Sequence, residues 1–321
     1  MVTTKSKYQE LNRYTVIGKG VEMISISVVV LTFNPVLEKI IKTLDSILCQ
    51  KSVNLQIVIS DDGSRNNYFT EIKKYMEEKS FSDYIFLESK ENMGTVKNLK
   101  RAVEVCKYEY VKDISPGDYL ASDSILAEWI KKIINSKSDW SFGEAIYYSE
   151  ENGERLSVKA HPQIIDCYEK KDYERCIWNY VVLDDIALGA VMICKKKLML
   201  KYLSLVENRV VYAEDNIFRI MMFDGNIPEY IPDVVVMYEY GSGVSTSGSS
   251  EWERKLHNDW DMTTQIITDR AKEKWQIKIV SEIKKKNSSY MFVRLMQYFL
   301  QKGKLAIRIK QKYCPRMTKV D

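Results

Sequence analysis

At 321 residues and 37.5 kDa, with 45% hydrophobic and 29% charged residues, the chain has the make-up of an ordinary globular protein with room for a substantial core. That balance excludes a disordered tail, a collagen-like fibre and a transmembrane bundle; the best apolar run, Ile24 to Phe33, is only strand-length and contains two serines. Net charge is +4, yet from Ala271 to Asp321 there are 14 Lys and Arg against three acids, so an acidic body carries a basic tail suited to a polyanionic partner.

The N-terminal extension, residues 1–23, is polar from Met1 to Lys19 and lacks the apolar core of a signal peptide. Ile24 to Thr32 is a β-branched run suited to a strand buried on both faces. Asn34-Pro35 breaks it, and Val36, Ile40, Ile41, Leu44, Ile47 and Leu48 then recur at helical spacing. Val53 to Ser60 reads as a second strand closed by the turn Asp61-Asp62-Gly63-Ser64. A polar helix to about Lys79, a strand at Tyr84 to Glu88, a helix opened by Asn92-Met93-Gly94 and running through Cys106, and a strand at Tyr108 to Ile114 complete the first half. Such alternation predicts a mostly parallel sheet with helices on both faces and ligands beyond the carboxyl ends of its strands.

The second half is less regular. Trp140 to Ser149 looks extended, with a turn at Glu151 to Glu154, and Ala187 to Cys194 reads as a short strand before a helix from Lys195 to Leu203. Glu214 to Phe223 reads as a helix, Val234 to Tyr240 as a last strand, and Gly241 to Ser250 as a flexible loop. Beyond Glu251 the pattern is helical almost to the end.

Six cysteines, the nearest pair being Cys167 and Cys176, give neither a CxxC spacing nor a disulfide scaffold, so a reduced, cytoplasmic protein is expected. No GxxxxGK[ST], GxGxxG or GxSxG motif is present, and His161 and His257 alone cannot build a multi-histidine metal centre. Carboxylates are therefore the candidate working groups. Asp61-Asp62 reads either as a plain turn or as acceptors for a nucleotide. Asp118, after Pro116-Gly117, suits a turn or a hard divalent cation that also holds phosphates. Glu214-Asp215 reads as N-terminal acidic capping or as a general base aimed into the cleft at the sheet end. Their joint occurrence at one end of one predicted sheet favours the functional alternatives.

Five segments carry a resemblance. SVVVLTFNP at Ser27 to Pro35 is similar to "SVIIPTYN", and QIVISDDGSRN at Gln56 to Asn66 to "EIIVVDDGSxD". ENMGTVKNLKRAVEVCKYEYV at Glu91 to Val111 resembles "ENxGxxxARNxGLxxAxGEYI". DISPGDYL at Asp113 to Leu120 stands in place of "LDADDxL", and YAEDNIF at Tyr212 to Phe218 in place of "xxEDxxL". Over roughly Ile24 to Tyr240 the chain resembles the family 2 glycosyltransferases of GT-A fold, inverting nucleotide-sugar enzymes that build surface polysaccharides.

The resemblance implies an α/β, Rossmann-like, mostly parallel twisted sheet flanked by helices over residues 24–250, with a helical basic C-terminal region over 251–321. Thr32, Phe33, Asn34, Asp61 and Asp62 would line the nucleotide pocket, Asp62 reading the base edge. Lys97 would lie near the diphosphate, Ser115 could contact a ribose hydroxyl, and Asp118 would bind Mn²⁺ or Mg²⁺. Asp215 would be the catalytic base with Glu214 beside it. Ser115 and Gly117 stand where the family's run has its first two acids, and Asp113, inside the predicted strand, is set aside as a ligand. His257 is an alternative extra ligand or a solvated helix residue.

The expected donor is a nucleotide sugar, a UDP-sugar favoured, and the acceptor a glycan or lipid-linked glycan of capsule, O-antigen or related synthesis. The loop after Tyr238-Glu239-Tyr240 suits a lid over the donor or a plain surface loop. Met291, Phe292, Leu295, Met296, Tyr298 and Phe299 among lysines suit either a peripheral helix on an anionic membrane or one packed on the domain; no nucleic-acid motif accompanies them. Two other readings stay open. One is a nucleotidyltransferase, for which GKG at Gly18 to Gly20 is too short a loop; the other is a catalytically silent nucleotide-binding homologue.

Overall fold

The computed structural model describes residues 24–148, 162, 164–240, 250–284 and 292. The apolar run at the start becomes β1 (Ile24–Thr32), whose Ile26, Val28, Val29 and Val30 are wholly buried. Each such side chain contributes on the order of 1.5–3 kcal/mol by leaving water. Pro35 ends the strand, and α1 (Leu37–Leu48) turns Ile40, Thr43, Leu44 and Ile47 into the core. β2 (Val53–Asp61), α2 (Phe69–Glu78), β3 (Tyr84–Glu88), α3 (Thr95–Val105) and β4 (Tyr110–Ile114) continue the alternation.

A two-residue strand, β5 (Tyr119–Leu120), and α4 (Ile125–Ser136) follow. Sequence reading passed over α4, although Ile125, Leu126, Trp129, Ile130 and Ile133 recur at helical spacing and all are buried. β6 (Trp140–Tyr148) precedes the small helices α5 (Asp166–Glu169) and α6 (Tyr173–Val181). The strand expected at Ala187 to Cys194 is shorter, because a 3₁₀ turn occupies Gly189–Val191 and leaves β7 as Met192–Lys195. α7 (Lys196–Val206) and α8 (Asn216–Phe223) come next.

β8 (Glu229–Glu239) begins well before the Val234 expected from sequence. Pro232 lies inside it without breaking the sheet. The β6 register slips between Phe142 and Glu144 at that level, so no regular ladder bond is lost to the missing N–H. α9 (Ser250–Arg270) and α10 (Lys274–Lys284) complete the described chain.

The strands form one sheet in the order β3-β2-β1-β4-β7-β6-β8-β5. β1 pairs in parallel with β2 and β4, β2 with β3, and β6 with β8; β7 runs antiparallel between β4 and β6, and β5 antiparallel at the β8 edge. The expected mostly parallel α/β sheet flanked by helices is thus present. Its consequence for the site is directional: β1, β2, β4, β6 and β8 all point their carboxyl ends to one edge.

α9 is part of this body. Its buried Asp259 accepts hydrogen bonds from the N–H groups of Val211, Tyr212 and Ala213, at 3.1, 2.6 and 2.9 Å. Arg219 of α8 lies 3.9 Å from the Trp260 ring and donates to Thr264 and to the Val181 carbonyl. The boundary expected at 250/251 therefore falls at the start of a helix that packs on the sheet-covering layer. Among the described residues no helix is long and apolar enough to cross a membrane. The expected turn at 151–154, the loop at 241–249 and all of the 291–299 segment except Phe292 lie outside the described residues.

Candidate functional site

The loops after β1 and β2 are braced against each other. Asp61, buried, accepts from Thr32 Oγ1 at 2.9 Å, from Ser64 Oγ at 2.5 Å and from Ser64 N at 2.8 Å. Asn34 donates its N–H to Ser64 Oγ, and its side-chain oxygen accepts from Arg65 N. Asp62 is also buried, and its two oxygens accept the N–H groups of Met93 and Gly94 at 2.8 and 2.9 Å. Burial pushes the Asp62 carboxyl up, and those two N–H groups pull it back.

These bonds give Asp61 and Asp62 the turn-bracing role that was one of their two sequence readings, and they draw Thr32 into it. Asp62 fastens the start of α3 to the end of β2. Gly94 is required there, since its φ is +89° and a Cβ would collide with Val211. None of these residues lines the cleft at the ends of β4 and β8, and neither does Lys97, which is exposed on α3. The cation beside the two aspartates is Arg101, which donates to the Asp61 carbonyl at 2.9 Å and to Ser60 Oγ at 3.1 Å. Phe33 stands free of these bonds, 47% exposed at the end of β1, where its ring can be stacked upon.

A cleft of about 360 Å³ opens where β4 and β8 end and α8 begins. Ser115, Asp118, Glu214 and Asp215 all line it, so four of the residues singled out from sequence converge. Asp113, Asn216, Tyr238, Glu239 and Trp260 join them. Asp113 does lie inside a strand, as expected, but at its last turn of the pleat, where the side chain reaches the cleft.

Electrostatics differentiates these acids. Burial, and after it the charge of Asp113, pushes the Asp215 carboxyl up to about 6. Glu214 is pushed well above the ordinary carboxylate range by burial and then by Asp215 and Asp113. Asp118 is raised to about 7 by burial, against the pull of the Glu239 N–H and of Lys112. Lys112 itself is fully buried in β4, donates to the Asp113 carbonyl, and is lowered by that burial. Gly189 packs 3.1 Å from Asp215 Cβ, measured from where its own Cβ would be, so the 3₁₀ turn walls Asp215. Asn216 is 4% exposed and its side-chain Nδ2 has no partner, an orphan donor beside Asp215.

The donor set suits a hard cation. Asp118 and Glu239 offer oxygens, and a Cβ at Gly117 would sit 3.1 Å from Glu239 Cδ and closer still to Oε2, so the loop cradles a carboxylate. Among the described residues no three Asp, Glu, His or Cys side chains form a group that holds an ion alone. An ion here would take further oxygens from phosphates, the usual habit of Mg²⁺. His257 is 67% exposed and pairs with Asp261 on its own helix, outside the cleft lining.

Sequence reasoning missed Asn216, Asp259 and Trp260, named Glu239 only as part of a strand end, and weighed Asp113 but set it aside as a ligand. The strand-end position of Asp113 was a usable signal, and Asn216 adjoins a residue already chosen. Glu239 and α9 reach the cleft only through folding.

The profile of the family described as Glycosyl transferase family 2 matches residues 27–196, more than half of the chain. Among solved structures, S. aureus TarS 1–349 in complex with UDP-GlcNAc is similar at 16% identity and TM-score 0.54, over 81% of this chain and 71% of that one. TarS 1–349 in complex with UDP is similar at 15% identity and TM-score 0.53, over 81% and 70%. A mannosyltransferase, PcManGT from Pyrobaculum calidifontis in complex with GDP-Man and Mn²⁺, is similar at 15% identity and TM-score 0.48, over 90% and 87%. At such identities the likeness is one of fold. No curated protein sequence matches the chain.

Proposed function

The chain belongs to glycosyl transferase family 2, and from that premise we propose that this glycosyltransferase moves a sugar, with inversion, from a nucleotide-sugar donor to a glycan or lipid-linked glycan hydroxyl. A UDP-sugar is the favoured donor, and capsule, O-antigen or related synthesis the favoured setting. The observation that carries the reading is the meeting of Ser115 and Asp118 with Glu214 and Asp215, about a hundred residues away in sequence, in one cleft at the carboxyl edge of the sheet.

Asp215 is the base. At a value near 6 it is ionised at neutral pH yet more basic than an ordinary aspartate, which suits it to take the acceptor proton as that oxygen attacks the anomeric carbon. Glu214, pushed well above the ordinary carboxylate range by burial and then by Asp215 and Asp113, can when protonated donate a hydrogen bond to a substrate oxygen. Phe33 offers a face for the base, and Ser115 a hydroxyl for the ribose. Mn²⁺ or Mg²⁺ held by Asp118, when bound, would neutralise charge on the departing nucleoside diphosphate.

The test is a panel of nucleotide sugars with Mn²⁺ or Mg²⁺, scored for released nucleoside diphosphate. Release of pyrophosphate instead would favour a nucleotidyltransferase, and nucleotide binding without release would favour a silent homologue. The basic C-terminal region is proposed to hold the enzyme on an anionic membrane surface beside a lipid-linked acceptor.

A further inference from the structure

Building on the metal-assisted reading above, we propose that Glu239 is the second protein carboxylate of the cation site, brought in from the end of β8 to fill the space a side chain at position 117 would take.

The motivating feature is how the loop is built around an absent side chain. Gly117 has φ +102°, and any Cβ there would run into the Glu239 carboxylate. Glycine thus admits a carboxylate from another strand to the spot where the loop itself offers none. The loop is fixed to receive it. Gly117 N–H donates to Thr43 Oγ1 at 3.0 Å, the Gly117 carbonyl accepts from the Tyr148 hydroxyl, and Asp118 N–H donates to the Ser115 carbonyl at 3.1 Å.

Asp118 and Glu239 are also tied to each other. Asp118 Oδ1 accepts the backbone N–H of Glu239 at 2.8 Å, so the two residues keep a fixed relation at the sheet edge. Both are largely buried, at 5% and 6% exposure, and both line the cleft with Ser115. A positive charge is already accommodated: Lys39 of α1 places its ammonium 2.6 Å from Glu239 Oε1. Two hard oxygen donors, with phosphate oxygens from substrate, form the kind of set that Mg²⁺ or Mn²⁺ takes. Lys39 is then a competitor for the same carboxylate, and this separates the proposal from a purely structural ion pair.

The experiment titrates Mn²⁺ into the full chain, alone and with UDP or GDP, and follows the electron paramagnetic resonance signal of free Mn²⁺. Wild type should take up Mn²⁺ in the presence of a nucleotide. Glu239→Gln should weaken that uptake at least tenfold, as should Asp118→Asn, with circular dichroism unchanged. Lys39→Met should leave uptake equal or tighter. Wild-type uptake that Glu239→Gln does not alter would overturn the proposal while leaving the metal reading of Asp118 intact; Glu239 would then be only the partner of Lys39, and both variants would lose the same melting temperature. Equal weakening by Lys39→Met and Glu239→Gln would overturn it too, because a structural pair fails from either side. Nucleotide binding without Mn²⁺ uptake in wild type would remove the metal reading and this proposal together. Absence of nucleotide binding by the folded wild type would instead count against the donor reading.

Discussion

Asp215 and Asp113 face one cleft, and their proximity sets a pH dependence. Below about pH 6 Asp215 binds a proton and cannot accept another, so kcat/KM should fall with unit slope as pH drops through that value and level off above it. In Asp113→Asn the second cause of the raised value is gone, and the acid limb of the pH–rate profile should move to lower pH. Asp215→Asn should lose on the order of 10²–10⁴-fold in turnover with nucleotide affinity retained, and wild-type turnover in that variant would remove the assigned base. Asn216 offers a contrasting case. Its buried Nδ2 lacks a partner, and an unmet donor costs about 1–3 kcal/mol. Asn216→Leu should therefore raise stability by about 1 kcal/mol in urea unfolding while sugar transfer falls; a loss of stability would show that the amide is satisfied within the protein.

Elements act on the site through their ends. The loop before α8 is held because Asp259, on α9, accepts three consecutive N–H groups. Asp259→Ala leaves these donors unmet, and a loss of about 3 kcal/mol is expected in denaturant unfolding. Turnover should fall more than nucleotide affinity, since residues 211–215 carry the proposed base. An unchanged unfolding midpoint would show that solvent replaces the carboxylate at no cost. At this scale the sequence was well legible in the first half, where β1, α1, β2, β3 and α3 follow from apolar period and turn chemistry alone. β8 was read only from Val234, although it begins at Glu229, and the slipped β6 register shows why Pro232 is tolerated inside it. α4 was legible in its Ile and Trp spacing and simply went unread.

The whole molecule joins an acidic body to a basic end, and that asymmetry has a measurable consequence. Full-length protein should sediment with vesicles containing phosphatidylglycerol at low salt and release from them above about 0.5 M NaCl, where screening shortens to a few ångströms. Equal partition to neutral phosphatidylcholine vesicles would refute an electrostatic membrane surface.

Period, turn residues and the order of short motifs determined by themselves that the chain forms a wound sheet with its acids at one edge, because those signals act between neighbours a few positions apart. Which acids face the cleft was decided by the tertiary structure. Asp61 accepts from Ser64 in its own turn and from the Thr32 hydroxyl, Asp62 accepts the Met93 and Gly94 N–H groups of a loop that reaches it only after folding, and Lys97 turned outward on its helix. Glu239 and Trp260 came in from a distant strand and from α9. Hydrogen-bond partners and side-chain volumes are exchanged across the packed body, and no local pattern in the chain encodes that exchange.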